Sequence, residues 1–361
     1  MNDNKNINII QYCSILIMLV DASFLGISIY TCIDNSGVDC WISILISLLI
    51  GITCIIIFNH INNFMPSKNL SKKIFCLYGK KIGFIINLII TICFFSIFLC
   101  FMTNILIYIV SQFLTKTPLI FIGIIFIFLI IYINIKGIEV ISRVSYIFII
   151  INMLLFLISL FGLINNIDCS NLLPIAQNGI KPIFKSSFFI IIDNIIPIYV
   201  LLSIPKNKIC NYKNLNKYVY FSFIYALLIM VIIVVATVGT LGIDLSKLYK
   251  YPEYIVLKNI SLFGFLNNME NVFNIQWILG LFIMVSISLF AIRSNFQSNK
   301  NKNVVSIFTS IITLIIIKKV FINDSIFENY IHKIVPYFNV TLLIIMVVTS
   351  LLILIKNKTK N

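Results

Sequence analysis

Charged residues make up only 11% of this 361-residue sequence, and histidine and tryptophan occur twice each. Arginine is confined to Arg143 and Arg293. A soluble domain carries about 25% charged residues, so this chain cannot coat a water-facing surface of its size. That excludes a soluble enzyme, a disordered protein and a secreted disulfide scaffold. There is no CxxC pair, no Cys/His cluster, no Gly-rich phosphate loop and no paired-carboxylate motif, so no metal, cofactor or catalytic centre is expected. What is present is apolar: 60% hydrophobic residues and a mean hydropathy of +1.06. The chain reads as an all-α integral membrane protein, one polytopic domain over residues 1–361.

Crossing about 30 Å of hydrocarbon takes about 20 apolar residues. Ten runs qualify as spans 1 to 10: 9–30, 41–59, 82–111, 118–135, 143–164, 186–204, 218–242, 271–292, 303–320 and 335–355. Span 1 is no cleaved signal peptide, because it is too long, Asp21 interrupts its core and no small-residue cleavage site precedes Cys32. The segments between spans then divide by charge. One face collects 18 basic residues against two acids, Asp3 and Glu139; the other has nine basic residues and eight acids. Lys and Arg accumulate on the cytoplasmic side, which predicts that both termini are cytoplasmic. The net charge of +15 thus becomes a topology signal, with anionic lipid headgroups rather than nucleic acid as its partner. His60 and His332 fall on opposite faces and cannot form one site.

Ionisable residues inside a span are costly and usually face a cavity. Asp21 in span 1 and Asp193 in span 6 are the two clearest, and each sits beside residues that weaken a helix. Ser23, Gly26 and Ser28 follow Asp21; Asn194, Pro197 and Tyr199 follow Asp193. Spans 1 and 6 open two five-span halves, at about 9–164 and 186–355, and an odd number of spans inverts the second half relative to the first. Interrupted helices at matching positions of inverted repeats point to a transporter-type binding site. Unwound backbone there offers free N–H and C=O groups to the carboxylate and ammonium of an amino acid, or to a small ion. A lone intramembrane aspartate also serves as an interhelical hydrogen-bond partner. For the secondary candidates Asn104, Tyr108, Asn274 and Gln276, interhelical bonding is the preferred reading. Cys13, Cys54, Cys93 and Cys100 read as small buried hydrophobes; Cys32 and Cys40 share an outer loop and can stay thiols or pair. Residues 252–266 form an amphipathic stretch, with Val256, Ile260, Leu262 and Phe263 expected in the membrane interface as an outer lid.

Several elements then resemble one family. Asn171-Leu172-Leu173-Pro174-Ile175 with Gly179 and Pro182 resembles the N-L-x-P-[VI]…G-x-x-P element of bacterial spore-germination permeases, the B subunits of nutrient germinant receptors. Thr117-Pro118 at span 4, Gly137 to Ser142-Arg143 between spans 4 and 5, and Tyr251-Pro252 with Glu270 and Trp277 follow in the family's order. The family is similar to the amino acid–polyamine–organocation transporters, with a five-plus-five inverted repeat and broken helices 1 and 6. The resemblance implies a subunit that senses a small nutrient, often an amino acid, in the spore inner membrane. It also implies an A subunit and a lipoprotein C subunit as partners. An amino-acid or amine permease of the same fold is the alternative. Departures cluster at the presumed site. Leu25-Gly26 is kept, but Ser28 replaces a second glycine and Ile33 a proline. The family's G-x-E of span 6 falls on Pro197-Ile198-Tyr199, and Asn268 replaces an arginine.

Overall fold

Every apolar run expected to cross the membrane is helical in the computed structural model, which describes residues 7–258, 261–262, 266–267, 270–296, 299–321 and 324–358. Asp3, Lys5, Ile260, Phe263, Asn268 and Lys360, with the side chains of Leu262, Glu270 and Asp324, lie outside the described residues. Eight stretches are long and apolar enough to cross a membrane. The first, Ile9–Asn63, runs for 55 residues. Gly37, with φ of +61°, and a 3₁₀ turn at Gly37–Asp39 divide it into spans 1 and 2. Helix Asn299–Lys319 adds span 9. Besides helix, the described residues hold one short antiparallel pair, Ser261–Leu262 with Leu266–Asn267.

Several boundaries move outward from those expected. Span 3 belongs to Leu70–Gln112, bent at Gly79 (φ +77°), so part of the expected loop 60–81 is helix. Gly137 (φ +99°) is by itself the joint between Leu119–Lys136 and Ile138–Leu163, which puts Ser142 and Arg143 in the first turns of span 5. There the Arg143 guanidinium bonds Glu139 one turn back. Span 10 extends back through Ser325–Asn357.

Burial ranks the spans. The span 6 window is 89% buried and that of span 5 only 17%, so span 6 lies at the centre and span 5 turns Leu154, Leu157 and Phe161 outward. Polar ties mark the two rims. On one, Ile7 N–H donates to the Lys208 carbonyl and Cys210 N–H to that of Ile7, both at 2.8 Å. On that rim Asn207 N–H bonds the Pro66 carbonyl, and Lys356 Nζ the Cys76 carbonyl. On the other rim, Asp39 accepts from Ala176 N–H, and Asp168 N–H donates to the Gly239 carbonyl. The N-terminal segment, the 205–210 loop and the end of span 10 therefore share one face, as the charge division requires. Cys32 and Cys40 are free buried thiols; the Cys32 thiol donates to the Cys40 carbonyl at 3.5 Å. His60 is tied across helices, Nδ1 to Ser350 Oγ, at 2.8 Å.

Span 2 ends against a buried lysine. Lys73 Nζ donates to the carbonyls of Ile61 at 2.9 Å and Asn62 at 3.1 Å, filling positions that the last turn of Cys40–Asn63 leaves open. Lys73→Met would strand both carbonyls, a loss of about 1–3 kcal/mol. Thermal unfolding in detergent, followed with a thiol-reactive dye, should show a lower Tm for Lys73→Met and little change for Lys80→Met, whose side chain is exposed.

Candidate functional site

Span 1 runs as α-helix over Ile9–Ser23 and resumes at Ile29–Ser36. Between them Leu25 (φ −62°, ψ 133°) and Gly26 (φ 72°, ψ −11°) adopt the dihedrals of a type II turn, which needs glycine at its second central position. A Cβ on Gly26 would also collide with the Trp277 ring. In a continuous helix the Gly26 amide would donate to the Ala22 carbonyl; the turn separates that pair. Each then finds a distant side chain. Gly26 N–H donates to Glu253 Oε1 at 2.8 Å, and the Trp277 indole N–H donates to the Ala22 carbonyl at 3.2 Å. Ser28 Oγ bonds the Ser23 carbonyl across the break, whereas the Ser23 hydroxyl turns back to the carbonyls of Leu19 and Val20.

An aromatic cluster backs this junction. Trp277 lies edge-on to Tyr108, with centroids 4.2 Å apart, and Tyr251 stands 5.4 Å from Trp277 and 5.3 Å from Tyr108. The described helical part of the stretch expected at the membrane interface is instead packed inward: Pro252–Lys258 buries Pro252, Glu253, Val256 and Leu257. Its acid, read from the sequence as an outer-face charge, reaches the heart of span 1. Glu253 is the candidate site residue that sequence reasoning missed. The available signal was its place between the Tyr251-Pro252 element and Trp277, both of which converge on Gly26.

Span 6 is interrupted differently. Pro197 has no N–H to give the Asp193 carbonyl one turn earlier, and its ring crowds that carbonyl. The chain answers with a π turn at Ile191–Ile195 and a 3₁₀ segment at Ile196–Ser203. Asn194 bonds its own helix through the Ile190 carbonyl, and the Tyr199 hydroxyl donates to the Cys54 carbonyl of span 2 at 3.0 Å. The two interrupted segments touch, but the structure does not bring both aspartates to one cavity. Asp21 faces a cavity of about 80 Å³ among spans 1, 5, 7 and 8; Asp193 lies toward Cys100 of span 3. The irregular turns of span 6 rotate its side chains away from the register of a regular helix.

The cavity is largely apolar, walled by Leu25, Met153, Phe156, Ile229 and Val256, with Asp21, Asn152, Tyr225, Glu253 and Gln276 as polar members. On this measure one water needs about 10–15 Å³, so there is room for a small ligand. Of the secondary candidates, Gln276 lines it while bonding the Asn152 backbone, and Asn152 returns a bond to the Gln276 carbonyl. Tyr108 bonds Asn274 across helices. Asn104 and Gly26 line a second cavity, beside the Lys250–Glu328 ion pair. Among the described residues no group of three His, Cys, Asp or Glu is placed to hold a metal ion.

Two outcomes test this junction. Gly26→Ala should destabilise by about 2–4 kcal/mol, from left-handed strain plus a displaced ring, and Tm of the purified protein reads it. Burial pushes the Glu253 carboxyl up to about 7, against the pull of the Gly26 amide. A carboxyl raised on folding holds a proton that the unfolded chain releases, so its contribution to stability falls as pH rises through about 4.5 to about 7. The other titratable groups facing it are Asp21 and Tyr225 in the cavity and Tyr108, Tyr251 and Tyr254 beside it. Tm measured from pH 5 to pH 8 should therefore decline less steeply in Glu253→Gln than in the parent; parallel curves would contradict the assignment.

Comparison with known proteins agrees with this architecture. A family model described as spore germination protein matches residues 6–325. Spore germination protein KB of Bacillus subtilis (strain 168) is 23% identical over 263 residues, 71% of this chain and 69% of that protein. Spore germination protein XB of Bacillus anthracis is 24% identical over 311 residues, 84% and 85% of the two chains. Among solved structures, a manganese transporter from Eremococcus coleocola, in complex with an aromatic bis-isothiourea compound, shares the fold. Its TM-score is 0.67 at 13% identity, over 94% of this chain and 77% of that one. The family match takes in both broken helices and the outer segment that stitches the first, and this chain belongs to the spore germination protein family.

Proposed function

We propose that this protein is the membrane subunit of a nutrient germinant receptor in the spore inner membrane, with both termini cytoplasmic. In this reading a small nutrient of about amino-acid size enters from the outer face and binds beside the break in span 1. The observation that carries it is the stitched turn at Gly26, held by Glu253 from the outer segment with a ligand-sized cavity alongside. Occupying that cavity shifts one group of helices against the other. A ligand biases such an equilibrium only through unequal affinity for its two states. The chain has short inner loops and no signalling domain of its own among the described residues, so a partner reads the shift. An A subunit and a lipoprotein C subunit, implied by the family resemblance, fill that role.

Deletion of the gene should leave sporulation intact and abolish germination on at least one nutrient, restored by the parent sequence and not by Gly26→Ala. Normal germination of the deletion strain across a broad nutrient panel would overturn the receptor reading. The likeness to a transporter favours one alternative, a permease. Labelled solute accumulating in vesicles that contain this chain alone would support it.

A further inference from the structure

The Gly26 amide, freed by the turn and oriented like other unwound backbone to take an anion, already carries the Glu253 carboxylate. A ligand carboxylate therefore has no open seat there. What the cavity lacks is a cation. Glu253 is only 4% exposed, yet its Oε2 is buried without a hydrogen-bond partner; the same holds for Asp21 Oδ1 and Asn152 Oδ1. These three residues line one cavity, and no Lys, Arg or His is among its lining residues. Buried acceptors of this kind destabilise unless a donor, and for carboxylates a positive one, comes to them. An anion is disfavoured by the same geometry, since it would face two buried acids that a cation ionises and an anion does not.

The walls decide what sort of cation fits. A hard metal ion takes six or more oxygen ligands, whereas most of this lining is aliphatic or aromatic: Leu25, Ile149, Phe156, Leu160, Ile229 and Leu257. A primary ammonium brings three N–H donors, and an alkyl body on the same molecule suits the remaining surface. We propose that this cavity binds the ammonium end of a small apolar amine, with Asp21, Glu253 and Asn152 as its acceptors. Of an amino acid's two charged ends, only the ammonium is recognised. This deepens the receptor reading and shares its premise that the cavity beside Gly26 takes a ligand.

Three probes with one branched body and different charged ends test the assignment: isoamylamine, leucine and 4-methylvalerate. Binding to the full-length chain in phosphatidylglycerol nanodiscs at neutral pH is read by calorimetry, with NaCl and KCl as ion controls. Isoamylamine should bind, leucine should bind more weakly and 4-methylvalerate should not bind. Along ethyl-, propyl- and butylamine, affinity should rise about fourfold per methylene. Asp21→Asn and Glu253→Gln, on separate elements and both near-isosteric, should each weaken isoamylamine by at least about tenfold. The assignment is overturned if 4-methylvalerate binds as tightly as isoamylamine, if Na⁺ or K⁺ alone reproduces the effect, if no amine binds, or if both amide variants bind isoamylamine as the parent does. The two readings fail separately. Loss of germination on deletion without amine binding sinks the ammonium assignment alone, and amine binding with normal germination of the deletion strain sinks the receptor alone.

Discussion

One broken backbone hydrogen bond organises the centre of this protein. Inside a bilayer, no water is at hand for an amide or carbonyl that loses its helical partner, and each such group left bare costs several kcal/mol. The type II turn at Leu25-Gly26 parts the Gly26 amide from the Ala22 carbonyl. Both are recovered through side chains more than two hundred residues away, Glu253 and Trp277. The unwound helix can exist only where the outer segment and span 8 are already in place. The break is therefore a product of tertiary structure that local sequence permits and does not by itself create.

That dependence couples three elements. Glu253 cannot leave Gly26 without stripping the amide of its partner, and Trp277 cannot shift without doing the same to the Ala22 carbonyl and disturbing Tyr108 and Tyr251. Movement of the short helix Pro252–Lys258 is thus felt at the break in span 1, and any change at the cavity is felt at that helix. Span 6 has no such stitching. Its irregularity is local, imposed by Pro197 on its own preceding turn; Asn194 bonds its own helix and Tyr199 the Cys54 carbonyl, while Asp193 Oδ1 stays buried without a partner.

The spans, their number and the division of loops between two faces were legible in the sequence, because hydrocarbon thickness and lysine placement act residue by residue. Gly26 was legible too: a glycine among hydroxyls near an intramembrane acid is a local signal. Asp21 and Asp193 sit at matching places of two interrupted spans, but only Asp21 lines the cavity beside Gly26, and no spacing rule records which way each side chain turns. Glu253 was hidden for a related reason. It lies in an amphipathic segment whose pattern fits a water–lipid boundary, and only packing reveals that this one acid is buried together with Val256 and Leu257. The family elements around Tyr251-Pro252 and Trp277 marked the right places without stating what they meet.

The rim that carries the N-terminal segment is pinned at one point. Ile7 is locked into the loop after span 6 by two backbone hydrogen bonds, from its own amide and to its own carbonyl. The N-terminal end of span 1 and the C-terminal end of span 6 are thereby riveted together, well away from the turn at Gly26. Two levers joined at one end can only scissor. If spans 1 and 6 separate at all, they do so as hinged arms, with the largest gap at the far rim and almost none at the rivet.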